Sequence, residues 1–210
     1  MHFALALVFL LSAAADTSGA GCDSTAACLA AIDRDRDATA GFRAAFTQVK
    51  HVSLLDEPIV SRGTISFRRP DRVRLEIAEP VRTVVIITGT EIHVPGMSEA
   101  DARAMAMAPL ASMFSQLGAL FSGDVAALQG GFEVTAEEAG GGIDLHLAPR
   151  DEAWRGAFRR VHLRFAGTPL VVREIRLEDT LGDRLEVTLA DVETGVELPD
   201  SLFERPSARR

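Results

Sequence analysis

The residue types suited to chemistry are few and dispersed. Asp33, Asp35 and Asp37 stand at alternate positions, as at the start of a calcium loop. Ala38 then occupies the place where such a loop needs glycine, and Ala44 the place of its closing glutamate. Interleaved with Arg34 and Arg36, the three acids read as a solvated helix face. His51, His93, His146 and His162 stand singly, the last three in the polar phase of their strands, so they read as surface histidines rather than metal ligands or bases. There is no nucleophile elbow, Gly-rich phosphate loop, metalloprotease His pair or CxxC, so no catalytic residue, metal or cofactor is expected. Cys22 and Cys28 remain. Paired, they would close a short loop and stabilise the N-terminus by roughly 2 kcal/mol. The competing reading is lipid on Cys22, since Gly19-Ala20-Gly21-Cys22 faintly resembles a lipobox without its leucine.

Around these residues the hydrophobic periodicity lays out the elements. Ala26 to His51 is rich in alanine, and Leu29, Ile32, Phe42, Ala45, Phe46 and Val49 fall at helical steps, with Gly41 as a kink. From Ser61 the period becomes two. Ile65 and Phe67, then Val73, Leu75 and Ile77, alternate with polar residues and predict two antiparallel strands joined at Arg69-Pro70-Asp71 and ended by Pro80. A hairpin follows, Thr83 to Ile87 and Glu91 to Val94 about Thr88-Gly89-Thr90, its first strand apolar on both faces through Val84, Val85, Ile86 and Ile87. Ser98 to Leu128 reads as helix, N-capped by Ser98 and split by Pro109. Its second half places Leu110, Met113, Phe114, Leu117, Leu120 and Phe121 on one stripe, continued by Val125 and Leu128. From Phe132 onward a meander of strands is wet on one face and greasy on the other, with turns at Gly140-Gly141-Gly142, Gly167-Thr168-Pro169 and Gly182.

The first residues set the compartment. Phe3 to Leu11 is an unbroken apolar run followed by Ser12-Ala13-Ala14-Ala15, the order of a signal peptide over residues 1–15, although the n-region has no Lys or Arg. The run is too short to span a bilayer, which takes about 20 apolar residues, and charged residues, Gly or Pro interrupt every later one. Residues 16–206 are expected to form a single domain, working as a monomer in the periplasm. A net charge of -8 argues against nucleic acid, which rewards a basic face.

The surplus is greasy. An antiparallel sheet with one apolar face, together with an interrupted helix bearing a broad apolar stripe, must either seal into a core or hold a ligand between them. Met105, Met107 and Met113 on the helical stretch favour the second outcome, because flexible thioethers repack around guests of varied shape.

The order of elements from Phe42 to Pro206 resembles the outer-membrane lipoprotein carrier family, LolA. The likeness rests on Phe46-Thr47-Gln48 closing the first helix, and on Gly63-Thr64-Ile65-Ser66-Phe67-Arg68-Arg69-Pro70 followed by Arg74 and Pro80. It continues through the hairpin closed by Gly89, the helical insertion, and Leu198-Pro199-Asp200-Ser201-Leu202-Phe203. Val73, Leu75 and Ile77 stand where the family is often aromatic, tyrosine is absent and the insertion is long, so the chain resembles a divergent branch often associated with lipid-export and aryl-polyene clusters.

The resemblance implies an α+β fold, an unclosed antiparallel β half-barrel whose hydrophobic concave face lies under a helical lid. It implies a periplasmic carrier that takes acylated lipoprotein or lipid cargo from an inner-membrane exporter to an outer-membrane acceptor, with only transient membrane contact. Phe67, Val73, Leu75, Ile77, Val85, Ile87, Leu110, Met113, Phe114, Leu117 and Phe121 would line the lipid site. Arg69 would hold the lid shut by bonding helix carbonyls, with Arg68 as a possible substitute. Two other readings stand beside this one: an outer-membrane-anchored acceptor of the LolB kind, tethered through Cys22, and a hydrolase or isomerase acting on a lipidic substrate in the same pocket.

Overall fold

In the computed structural model, residues 21–37, 39–89, 91–95, 121, 124–150 and 152–204 are described. The signal-peptide expectation, and of the helix expected over Ser98 to Leu128 the cap Ser98, the break at Pro109 and Leu110, Met113, Phe114, Leu117 and Leu120 of its stripe, lie outside the described residues.

Alternation of apolar and polar residues builds ten strands into one antiparallel sheet. They are β1 (Gly41–His51), β2 (Ile59–Arg68), β3 (Arg72–Glu79), β4 (Thr83–Thr88), β5 (Glu91–His93), β6 (Phe132–Ala139), β7 (Gly142–Pro149), β8 (Phe158–Ala166), β9 (Val171–Asp179) and β10 (Arg184–Thr194). The order β5-β4-β3-β2-β1-β10-β9-β8-β7-β6 joins two meanders through the β1–β10 pairing, and the ends β5 and β6 do not meet. Among the described residues the helices with defined bounds are α1 (Thr25–Asp37), α2 (Val125–Gly131) and α3 (Glu152–Ala157), with a short 3-10 helix over Asp200–Phe203. Among the described residues no helix is long and apolar enough to cross a membrane.

The stretch expected to be one helix from Ala26 to His51 divides: α1 ends at Asp37 and β1 begins at Gly41. Phe42, Ala44 and Phe46 are buried while Arg43 and Ala45 are exposed, which is the period of a strand. Phe46-Thr47-Gln48 therefore lies within β1 rather than closing a helix. Tertiary pairing overrides alanine's helix preference here, because β1 must bond β2 on one side and β10 on the other. Gly41 is fixed by the same pairing: a Cβ on it would lie 2.4 Å from the Phe67 carbonyl oxygen.

The sheet has two ends. The lower end carries the β2–β3, β4–β5, β6–β7 and β8–β9 turns, and the upper end carries the β1–β2, β3–β4 and β9–β10 connections together with α3. On the concave side, Cys28, Leu29, Ala31 and Ile32 of α1 are buried against the sheet. On the convex side a small second core joins Ile86 to Leu198 and Phe203, which explains why β4 is apolar on both faces.

Candidate functional site

Cross-strand register assembles a continuous apolar surface on the concave face. One row runs Phe42, Phe67, Val73, Ile87, Ile92; the next, Ala44, Ile65, Leu75, Val85; the next, Phe46, Gly63, Ile77, Thr83. Through β10 the surface continues with Leu189, Val187 and Leu185, paired with Phe46, Gln48 and Lys50. Val187 and Leu185 pair in turn with Ile175 and Leu177.

Burial on this face is uneven: the lower row is sealed, and in the rows above it Ala44, Ile65 and Phe46 are buried while their neighbours toward β4 and on β10 are not. At the lower end Phe67, Val73 and Ile87 are each 1% exposed. Phe121 of the expected lid stripe is buried with them, its ring 6.2 Å from Phe42 and 6.1 Å from Phe67, and Val125 and Leu128, which continue the stripe, are buried as well. Toward the upper end Leu75, Ile77, Val85, Leu185 and Val187 are only half-buried. Of the residues named from sequence, the structure thus puts Phe67, Val73, Ile87 and Phe121 in a packed lower half and Leu75, Ile77 and Val85 in a looser upper half. Leu185 and Val187 belong to that looser half too. Their alternation marked a strand in the sequence, but nothing local shows that β10 lies beside β1.

The lower half is closed by α1, and the closure is polar at its margin. Arg69 Nη1 donates to the Arg36 carbonyl in the last turn of α1 at 2.6 Å, while the Arg69 backbone N–H bonds the Ala40 carbonyl at 2.9 Å. The same carbonyl also accepts the Thr39 N–H at 3.0 Å, so the guanidinium adds a second, charged donor to the end of the helix. Asp35, expected in a solvated face, instead accepts the Leu170 backbone N–H at 2.8 Å. Arg36 reaches Asp124, the N-cap of α2, at 3.3 Å. Arg68 turns to the convex side, donating to the Leu198 carbonyl at 2.5 Å and pairing with Asp200. Bonds from Arg68 and Arg72 lower the pKa of Asp200.

Cys22 and Cys28 form a disulfide with Cα atoms 5.0 Å apart. It ties the start of α1 beside the edge strand β6, where the Thr25 hydroxyl donates to the Ala136 carbonyl and accepts its N–H, both at 3.2 Å. The Cys22 N–H donates to Glu138 Oε2 at 3.0 Å.

Among the described residues no cluster of His, Cys, Asp and Glu could hold a metal ion. His146 and His162 lie opposite each other on β7 and β8, with ring centroids 4.9 Å apart on the convex face. His146 is a surface residue as expected, but His162 is mostly buried, and burial lowers its pKa despite Asp144 3.6 Å away.

With this geometry in place, comparison with known proteins is specific. Residues 37–206 match the family model described as outer membrane lipoprotein carrier protein LolA. An outer-membrane lipoprotein carrier protein of Dechloromonas aromatica is 30% identical over 151 residues, covering 70% of this chain and 68% of its own length. One from Pseudomonas fluorescens is 26% identical over 143 residues, covering 68% and 66%. The chain thus spans about two thirds of the length of the curated relatives it matches. The crystal structure of MucB shares the fold with a TM-score of 0.51 at 15% identity, over 87% of this chain and 64% of that one. A LolA superfamily protein from Nitrosomonas europaea gives 0.46 at 14% identity, over 88% and 99%.

Proposed function

The chain belongs to the LolA family of outer membrane lipoprotein carrier proteins, and on that premise we propose that it is a periplasmic carrier that shelters the acyl chains of a lipoprotein or related lipid between the two membranes. The observation that carries this reading is the division of the concave face. Beside the packed lower row and the buried Ile65 and Phe46, the apolar side chains of Leu75, Ile77, Val85, Leu185 and Val187 keep part of their surface open, so this face has apolar area left to cover. Covering about ten methylenes of one acyl chain is worth on the order of 8 kcal/mol, at roughly 0.8 kcal/mol each, so such a face has a large free energy to offer a greasy guest. On this reading the carrier takes its cargo from an inner-membrane exporter and yields it to an outer-membrane acceptor.

The lipid-tethered acceptor reading needs the Cys22 sulfur for a thioether, and that sulfur is bonded to Cys28. The lipase-like reading needs a nucleophile and base facing the guest. Among the described residues the inward polar positions beside the apolar rows hold Gln48, Lys50, Ser61 and Thr83, and the residue paired across the strands with Ser61 is Gln48, which is no base.

The test is binding of an environment-sensitive fluorescent fatty acid by the purified mature protein, competed by a purified acylated lipoprotein. Saturable binding, weakened at least about tenfold by Leu75→Asp with Val85→Asp at unchanged circular dichroism, is the expected result. Absence of binding, competition only by unacylated lipoprotein, or hydrolysis of a fatty ester would overturn the carrier reading.

A further inference from the structure

The rows of the concave face change character toward the upper end. The row through Phe46, Gly63 and Ile77 ends on Thr83. In the next row up, Gln48 of β1 pairs with Ser61 of β2 on one side and with Val187 of β10 on the other, and Val187 pairs with Ile175. One step higher, Lys50 pairs with Ile59 and Leu185, and Leu185 with Leu177. The face therefore stays apolar along β10 and β9 while β1, β2 and β4 turn polar beside it.

Ser61 is only 8% exposed, and Gln48 and Thr83 are half-buried. Among the described residues none of these three side chains makes a hydrogen bond, and none of their polar atoms is sealed from solvent. The pairing of β2 with β3 shifts between Arg62 and Gly63 and ends at Arg62 with Glu79, so Ser61 has no cross-strand partner on the β3 side. Shifts of this kind recur beside binding sites, because they end a ladder and re-aim a side chain.

A hydroxyl and an amide set among half-buried apolar side chains constrain what can cover them. A guest that strips them of water and offers no acceptor leaves their donors unpaired, which costs free energy. The amide brings two N–H donors and the hydroxyl one. An acyl chain carries an acceptor at one fixed place, the carbonyl oxygen of its ester or amide linkage. Charge does not compete for the position: Lys50 lies one step above, beside Asp183, whose pKa is lowered by the Ser53 N–H and further by Lys50 itself. The pair of opposite charges leaves the row below it to uncharged donors, which suit a neutral carbonyl.

We infer that Gln48 and Ser61 form a carbonyl-binding subsite that holds one ester or amide linkage of the guest at the upper end of the half-buried rows, with its chain running down over Ile77, Leu75 and Val85. The inference rests on the carrier reading and adds to it where the hydrocarbon ends and which way it lies.

The experiment measures displacement of a fluorescent fatty acid from the purified mature protein by monopalmitoylglycerol and by the hexadecyl ether of glycerol. The two lipids share chain length and head group and differ in the carbonyl. Wild-type protein is expected to bind the ester about fivefold to tenfold more tightly than the ether. Gln48→Met with Ser61→Ala should bring the two affinities within about twofold by weakening the ester alone, at an unchanged melting temperature. Should the double variant melt lower, Gln48→Met by itself gives the same comparison. Thr47→Val, a change at the outward neighbour on β1, should keep the preference. Equal binding of ester and ether by the wild type, or a preference that survives loss of the Gln48 amide and the Ser61 hydroxyl, would overturn the inference and leave the carrier reading standing. Failure of the fatty acid and of both lipids to bind would overturn the carrier reading and the subsite together.

Discussion

Arg68 and Arg69 are neighbours with opposite tasks, because successive residues at a strand end project to opposite faces. Arg69 holds the last turn of α1 over the packed half of the concave face, and Arg68 holds the segment after β10 on the convex side, where its guanidinium also lies 5.1 Å from the Phe203 ring. The sequence singles out Arg69 and the chemistry of an orphaned helix carbonyl. The helix it reaches among the described residues is α1, whereas the sequence points to the break at Pro109, which lies outside them. Removing each arginine separates the two roles. Arg69→Leu should lose about 1–2 kcal/mol of amide-exchange protection in the final turn of α1 and around Leu170. Arg68→Leu should leave α1 protected and loosen the Leu202 and Glu204 amides instead. Hydrogen exchange read residue by residue checks both, and the reverse pattern would show that the two side chains have been assigned to the wrong faces.

Elements explain what an open sheet does with its edges. The edge strand β6 has Thr25 bonding both polar groups of Ala136, and the disulfide, from three residues before α1's first residue to three after it, keeps Thr25 there. An uncovered edge is a template for pairing with another chain, so this loop protects against association as well as adding stability. Cys22→Ser with Cys28→Ser should lower stability by about 2 kcal/mol, speed exchange at the Ala136 amide, and increase self-association on concentration, measured by denaturant melts, exchange and light scattering. Unchanged Ala136 exchange would mean that Thr25 holds the edge unaided. The strands themselves were largely legible, since Ile65-Phe67, Val73-Leu75-Ile77 and Ile143-Leu145-Leu147 alternate cleanly. The stretch after α1 was not: Phe42, Ala45, Phe46 and Val49 satisfy a helical spacing while Phe42, Ala44 and Phe46 satisfy a strand. Nothing local decides between them until β2 and β10 supply partners.

At the scale of the whole molecule, the sheet is one surface with two duties, and sequence periodicity cannot tell them apart. Val73, Leu75 and Ile77 carry the same signal, yet the first is sealed under the lower half and the others remain partly open. The difference arises from where α1 and Phe121 rest, which depends on contacts far apart along the chain, such as Leu170 with Asp35 and Arg69 with Arg36. Truncation should therefore have opposite consequences at the two ends. Ile87→Ala empties a site that is 1% exposed among close-packed neighbours, so it should cost about 2–5 kcal/mol of stability while changing fatty-acid affinity little in the protein that remains folded. Ile77→Ala removes a half-buried side chain with fewer neighbours, so it should cost under about 1.5 kcal/mol yet weaken fatty-acid binding several-fold, because the missing methylenes are ones the guest would touch. Denaturant melts and fluorescent fatty-acid titrations on the two variants form the comparison. If both lose stability equally and neither loses affinity, the upper half is ordinary core and the guest binds elsewhere.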